Sequence, residues 1–205
     1  LHALGIGPER HIIVPALGDA SCLRAARQLC AVPRFADCDP GTLVPTNQTI
    51  ESIIDANTGA VLAFHGDGWG TGVPGIVAAC ARQEVPFIEL VGNKLGSRFA
   101  ASPAGATGRA AVIDFSHRGI ISGGEGAVIV TDDARLADAC RSSDFMTSTE
   151  AHRTDPMSEL AAALATTQLN RLDDIVQVCT TLAEHYTVCL SNTRELLLPA
   201  STPEA

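Results

Sequence analysis

The stretch at residues 105–132, GATGRAAVIDFSHRGIISGGEGAVIVTD, decides the fold of this 205-residue chain. Its β-branched runs at 112–113 and 127–130 predict two strands that are buried on both faces. The polar sequence DFSHRG at 114–119 lies between these runs, in the kind of loop where α/β proteins place their chemistry. The GGEG sequence at 123–126 gives the backbone the freedom to reverse beside that loop.

Strand-like and helix-like stretches alternate along the rest of the chain. The predicted strands are 11–14, 34–37, 61–64 and 86–89, and the predicted helices are 20–31, 46–57, 73–83 and 134–141. A long amphipathic run follows at 157–190, with a break expected near Asn170. This alternation predicts the α/β class, with a mostly parallel sheet sandwiched by helices.

Composition limits the classes of function. The net charge of −9 argues against a nucleic-acid partner, because phosphates would be repelled. No apolar run approaches the roughly 20 residues of a membrane span, so we predict no membrane partner and a cytoplasmic location. Seven cysteines without CxxC spacing, and without a recognised histidine partner, predict neither a zinc site nor a disulfide framework.

The stretch at 105–132 resembles the DegT/StrS-type sugar aminotransferases, which are pyridoxal-phosphate enzymes of fold type I. Their pattern there is roughly GTxGDxxxFSFxxxKxxxxGEGGAVVTD. LHALGIGPERHIIVPAL at 1–17 and MSELAAALATTQLNRLDDI at 157–175 are also similar to family sequences. The resemblance implies an aminotransferase-like α/β large domain at 1–156 and a truncated, degenerate family member.

The same resemblance implies the rest of the domain organisation. A helical segment at 157–192 is expected to pack on the large domain and on a partner, and 193–205 is expected to be a tail. The family's first strand and phosphate loop would precede Leu1, and the small C-terminal domain is expected to be absent.

An ungapped match places the family's cofactor-binding positions on residues of a different chemistry. The Schiff-base lysine falls on Gly119, the pyridine-binding aspartate on Leu90, and the phosphate-binding serine on Asp114. Further family positions fall on Asn93, Asp19, Thr154 and Pro156. Pyridoxal phosphate needs an amine, a carboxylate at the pyridine nitrogen and phosphate donors, so we predict that no cofactor is bound.

Ionisable and aromatic residues replace that site. The predicted catalytic residues are His117, Asp114 and Glu89, with either carboxylate orienting His117 as an acid or base near neutral pH. The predicted substrate-binding residues are His65, Asp67, Trp69, Asn93, Lys94 and Arg118, and Asp19 and Glu125 lie on the same walls. Drift of loop residues after loss of the cofactor is the alternative, and Trp69 is equally suited to stacking on a sugar and to packing on a partner.

Three functions remain open at this stage. The first is a non-catalytic partner or homo-oligomeric pseudoenzyme in sugar or natural-product biosynthesis, as a homodimer or as a heterodimer with an active paralogue. The second is a cofactor-independent enzyme that uses His117 and Asp114 on a biosynthetic intermediate. The third is a module that binds nucleotide sugars.

Overall fold

A computed structural model of the chain describes residues 1–64, 72–99, 102–116, 119–142, 157–193, 195–196 and 198. The strands are β1 (His11–Pro15), β2 (Val32–Ala36), β3 (Thr58–Phe64), β4 (Phe87–Val91), β5 (Arg98–Phe99), β6 (Ser102–Pro103), β7 (Ala110–Asp114) and β8 (Ala127–Val130). Six of them form one sheet in the order β2-β1-β3-β4-β7-β8, while β5 and β6 form a small antiparallel pair. Every neighbouring pair from β2 to β7 is parallel, and β8 is antiparallel to β7.

The helices connect and cover these strands. They are α1 (Ala20–Gln28), α2 (Asn47–Glu51), α3 (Val73–Arg82), α4 (Ala134–Arg141), α5 (Glu159–Leu169) and α6 (Leu172–Leu190). A one-turn 3-10 helix at His2–Leu4 precedes β1 and ends at Gly5, which has φ +71°. The sequence predicted a break near Asn170, and α5 does end at Leu169, with Asn170 as its C-cap.

Helices cover both faces of the sheet, and alternate residues of β1 point to the two sides. Ile12 packs with Ala26 of α1 and Leu136 of α4 in one buried cluster. Ile13 packs with residues of α2 and α3 in a second cluster on the opposite face. The mostly parallel α/β sheet sandwiched by helices, predicted from the sequence, is therefore confirmed.

Two predicted helices are shorter than expected. The helix expected at 46–57 ends at Glu51, because Asp55 forms a turn that starts β3. The Asp55 carboxylate accepts hydrogen bonds from the Asn57 backbone and the Thr58 hydroxyl, both at 3.0 Å. The helix expected at 20–31 ends at Gln28, since the chain turns through Cys30 with φ +54°.

The expectation that 112–113 and 127–130 are buried on both faces is wrong. All four residues of β8 are exposed, with Ile129 52% exposed, because β8 lies at the end of the strand order. Val112 and Ile113 are half-buried. A β-branched run predicts a strand here, but it does not predict whether other strands or helices bury that strand.

The described residues contain no helix long and apolar enough to cross a membrane.

Candidate functional site

The candidate site lies at the carboxyl edge of the parallel sheet. The parallel strands β1, β3, β4 and β7 all end at this edge. Asp19 follows β1, Asn93 and Lys94 follow β4, and Asp114 ends β7. The topology thus brings these four residues to one edge, where ligands of open α/β sheets bind.

Asp114 is held by its own loop. Its carboxylate accepts one hydrogen bond from the Ser116 backbone N–H and another from the Ser116 hydroxyl, each at 2.8 Å. The side chain is half-buried. This arrangement fixes the carboxylate at the start of the loop that follows β7. Each carboxylate oxygen keeps a lone pair that can accept a hydrogen bond from another donor.

Gly119 stands where the resemblance places the Schiff-base lysine. A Cβ atom at Gly119 would lie 3.0 Å from the carbonyl oxygen of Ile121 and 3.1 Å from that of Asp114. These distances are shorter than ordinary carbon–oxygen packing contacts. Any side chain at this position therefore needs a backbone shift, in addition to the amine that glycine lacks.

Leu90 stands where the resemblance places the pyridine-binding aspartate. The sheet register sets it beside Phe64 of β3 and Val112 of β7. Its half-buried side chain packs against the apolar cluster that contains Ile12. An apolar side chain in this setting cannot hold a proton on a pyridine nitrogen.

Glu89 is fully buried in the middle of β4. Its carboxylate accepts hydrogen bonds from the backbone N–H groups of Gly105 at 2.9 Å and of Thr107 and Gly108 at 2.7 Å each. Charge-assisted bonds of this kind are the strong ones in proteins. Glu89 therefore anchors the turn that leads into β7, a role that the sequence argument missed. Its predicted part in orienting His117 stays a prediction.

The close approach of backbone to Glu89 explains the second glycine of this turn. A Cβ atom at Gly108 would lie 2.8 Å from the carbonyl oxygen of Phe87, so a larger residue does not fit. The glycine spacing at 105 and 108 was the available signal for a turn folded around the buried Glu89 side chain.

The other described candidates have mixed surroundings. Asp19 caps α1, and its carboxylate accepts a hydrogen bond from the Ser21 backbone at 2.6 Å. Asn93 is exposed and Lys94 is half-buried in the turn after β4. Glu125 is exposed in the GGEG turn. The remaining predicted site residues, His65, Asp67, Trp69, His117 and Arg118, lie outside the described residues, as do Thr154 and Pro156.

The GGEG turn serves the packing of α5. A Cβ atom at Gly123 would lie 2.6 Å from the carbonyl oxygen of Ala161, so α5 lies directly on this backbone. Gly126 has φ +102°, and a Cβ atom there would lie 2.8 Å from the Met157 side chain. From the sequence, these glycines were predicted only to let the backbone turn. They also allow α5 to pack closely against it.

The described part of the site offers acid–base groups and hydrogen-bond donors. Asp114 and Lys94 supply opposite charges at the same edge of the sheet. No cluster of three or more His, Cys, Asp or Glu side chains suited to a metal occurs among the described residues. This edge is therefore equipped for polar recognition or proton transfer.

Comparison with known proteins gives a consistent result. Residues 1–205 match the DegT/DnrJ/EryC1/StrS aminotransferase family. The chain is 29% identical over 137 residues to the L-glutamine:2-deoxy-scyllo-inosose aminotransferase of Streptomyces fradiae. This match covers 67% of this chain and 32% of that protein.

Solved structures agree with the match. The aminotransferase TlmJ of Streptoalloteichus hindustanus superimposes with a TM-score of 0.90 at 26% identity, over 98% of this chain and 57% of that one. DesI, solved in the presence of its TDP-sugar product, gives a TM-score of 0.82 at 26% identity, over 96% of this chain and 52% of that one. The chain thus spans little more than half the length of these structures.

Proposed function

Because the chain belongs to the DegT/DnrJ/EryC1/StrS aminotransferase family, we propose that it is a non-catalytic member that does not bind pyridoxal phosphate. In this proposal it acts in the cytoplasm as a partner subunit or a homo-oligomeric pseudoenzyme of sugar or natural-product biosynthesis. The setting is supported by the name of the Streptomyces fradiae relative, an aminotransferase of L-glutamine and 2-deoxy-scyllo-inosose.

One observation carries the proposal: Gly119 has no amine, and two backbone carbonyl oxygens lie close to it. Backbone carbonyl oxygens lie 3.0 and 3.1 Å from where its Cβ atom would be. A lysine lost by a single recent substitution would leave its space behind. The crowding at Gly119 favours a loop that has settled around glycine.

Leu90 and Asp114 support the same proposal from two other elements. Leu90 packs on apolar neighbours, where the cofactor's pyridinium would need a carboxylate. Asp114 would place a negative charge against the cofactor phosphate, and two anions repel each other at such short range. The residues present at these three positions do not fit the group.

A partner is supported by the apolar surface of the two last helices. Leu160 and Leu164 of α5 are 73% and 48% exposed. Val178, Leu182 and Tyr186 of α6 are each more than half exposed. Adjacent exposed apolar residues of this kind mark surfaces that bind other chains. A homodimer or a heterodimer with an active paralogue would cover them.

A second candidate function is cofactor-independent acid–base chemistry. It is favoured by the Asp114 carboxylate, which Ser116 holds in place at the carboxyl edge of the sheet, three residues before His117. A third is a module for nucleotide sugars, which the TDP-sugar product of DesI supports by analogy alone.

Absorbance with added pyridoxal phosphate tests the proposal. We expect the spectrum of the free aldehyde without an imine band, and no covalent label after borohydride reduction. A full-length family aminotransferase, treated in parallel, should give both. An imine band with a reduced adduct at Lys94, the single lysine of the chain, would refute the proposal.

Light scattering coupled to size exclusion, alone and mixed with an active paralogue, tests the partner role. A monodisperse monomer that ignores the paralogue would leave acid–base chemistry as the leading candidate. His117→Ala and Asp114→Asn would then be the variants to assay.

A further inference from the structure

The second half of α6 extends away from the body of the protein. Its first turns are attached, because Leu172 and Ile175 pack on the cluster around Phe115 and Ile121. No residue of α6 is fully buried, and from Val178 onward every described residue up to Cys189 is exposed. An exposed helix of this kind presents its side chains to whatever binds it.

Two metal-ligating side chains lie one turn apart on this exposed part. The Cys189 sulfur and the His185 Nε2 atom are 3.7 Å apart. Residues four apart share one face of a helix, which is why paired helical ligands use this spacing. No zinc site was predicted from the sequence, partly because no cysteine was thought to have a close histidine partner. His185 and Cys189 are such a pair.

The spacing fits two ligands of one zinc ion. With Zn–S near 2.3 Å, Zn–N near 2.05 Å and a tetrahedral angle, two adjacent ligand atoms lie about 3.6 Å apart. The observed separation of 3.7 Å agrees with this value. His185 and Cys189 are both exposed, so an ion can reach them from solvent.

One copy of the pair supplies two ligands. The described residues contain no group of three or more His, Cys, Asp or Glu side chains that could hold a metal ion. A second copy brings the same two side chains, and the sum is Cys₂His₂, a ligand set of structural zinc sites. A two-fold axis pairs identical patches, so two copies of α6 can meet in this way.

An apolar stripe runs beside the pair on the same side of α6. Val178, Leu182 and Tyr186 follow each other at a spacing of four and are 66%, 52% and 58% exposed. Burial of this stripe would add the hydrophobic contact that a two-ligand bridge lacks.

We propose that His185 and Cys189 form half of a Zn²⁺ site, which a second copy of this chain completes as Cys₂His₂ through α6. The two thiols bind as thiolates and the imidazoles bind neutral, so one zinc ion displaces two thiol protons. The proposal does not depend on whether pyridoxal phosphate binds.

Cobalt(II) is the probe for the first test, because it occupies zinc sites and tetrahedral thiolate ligation gives it visible and near-ultraviolet bands. The metal-free, reduced 205-residue chain is titrated with Co²⁺ while light scattering follows its molar mass. We expect tetrahedral bands that saturate at one cobalt per two chains, together with a doubling of the mass. Added Zn²⁺ should displace the cobalt and remove the bands.

Matched variants assign the ligands. Cys189→Ser and His185→Gln should each lose the tetrahedral bands and the metal-dependent dimer. Cys179→Ser is the control, because Cys179 is an exposed thiol on the same helix whose neighbours four residues away are Ile175 and Ala183. It should keep both signals. Circular dichroism of each variant checks that α6 persists.

Thiol alkylation gives an independent readout. Zn²⁺ should slow the reaction of Cys189 with iodoacetamide at least about tenfold, since a bound thiolate is not free to react. Cys179 should react at the same rate with and without metal. Absence of tetrahedral bands, or bands that survive both ligand variants, would overturn the site. Saturation at one cobalt per chain without a change in mass would overturn its completion by a second copy.

Discussion

Gly123 and Ala161 touch through their backbones: a Cβ atom at Gly123 would lie 2.6 Å from the Ala161 carbonyl oxygen. This contact sets α5 directly on the loop that surrounds the candidate site. Ala161 and Ala165 are the buried residues of α5, so small side chains on both sides allow the approach.

Gly123→Ala should therefore destabilise the protein by roughly 1–3 kcal/mol, the usual cost of overpacking a tight contact. Gly7→Ala is the control, because nothing lies within 4 Å of a Cβ atom there. Urea unfolding followed by circular dichroism measures both. Equal stability of the two variants would contradict the contact.

Glu89→Gln should lower the free energy of unfolding by at least about 2 kcal/mol, because hydrogen bonds to a charged group contribute about 1.5–3 kcal/mol each. An amide presents one acceptor oxygen to the three N–H donors, and turns its own NH₂ group toward the others. Glu125→Gln, at an exposed position in the GGEG turn, should change stability little. Hydrogen exchange at Thr107 and Gly108 should accelerate in the Glu89 variant alone.

Gly119→Lys alone should not restore transamination. The new side chain must displace backbone carbonyls at 3.0 and 3.1 Å, and Leu90 still leaves the pyridine nitrogen without a carboxylate. A coupled assay of amine transfer measures turnover, and Gly119→Ala reports how much the side chain alone disturbs the fold. Measurable turnover in the lysine variant would show that the other changes are tolerated.

The buried thiols should resist alkylation in the folded protein. Burial raises the pKa of both the Cys22 and the Cys80 thiol to about 11, so little thiolate exists near pH 8. Exposed Cys30, Cys179 and Cys189 should react first. Mass spectrometry of peptides gives the order, and denaturant should make all seven cysteines reactive.

Acid should weaken the anchoring of α4. Hydrogen bonds from the Leu136 backbone, and then the charge of Arg109, lower the pKa of Asp133 below its ordinary value of 3.8. A carboxylate with a lowered folded-state pKa stabilises the fold above pH 3.8, and this contribution is lost as the pH falls through the folded-state pKa.

Asp133→Asn should therefore show a shallower loss of stability on acidification than the parent chain. Asparagine still caps the helix but carries no charge for Arg109. Asp132→Asn, at the neighbouring exposed position, is the control. Unfolding midpoints between neutral pH and about pH 3 test the prediction. Parallel curves for the parent and Asp133→Asn would contradict it.

The sequence predicted the sheet because its signals are local. Short apolar runs separated by helices specify an alternating α/β chain, but the order of the strands in the sheet was not predicted. Burial of β8 was not predictable in the same way, since it depends on which strand lies beside it. The end of the helix expected at 46–57 was not predictable either. The hydrogen bonds of the Asp55 side chain form a turn where the sequence pattern favours a helix.

The candidate site was predicted in position more than in role. Asp114 and Lys94 lie at the carboxyl edge of the parallel sheet, as the topology of such a sheet dictates, and their roles stay predictions. Glu89 was assigned to the cleft, yet its buried carboxylate binds a turn 16 to 19 residues away in sequence. Such a pairing follows from the folded structure and from no local pattern.

Because α6 is attached near Gly96 at one end, a small change there moves its far end. A Cβ atom at Gly96 would lie 2.7 Å from the Val176 side chain, so this glycine fixes the angle at which α6 leaves the body. A 19-residue helix is about 28 Å long. A tilt of about 10° at its attached end would displace the far end by about 5 Å. A larger residue in place of Gly96, in the loop after β4, would therefore move the exposed second half of α6.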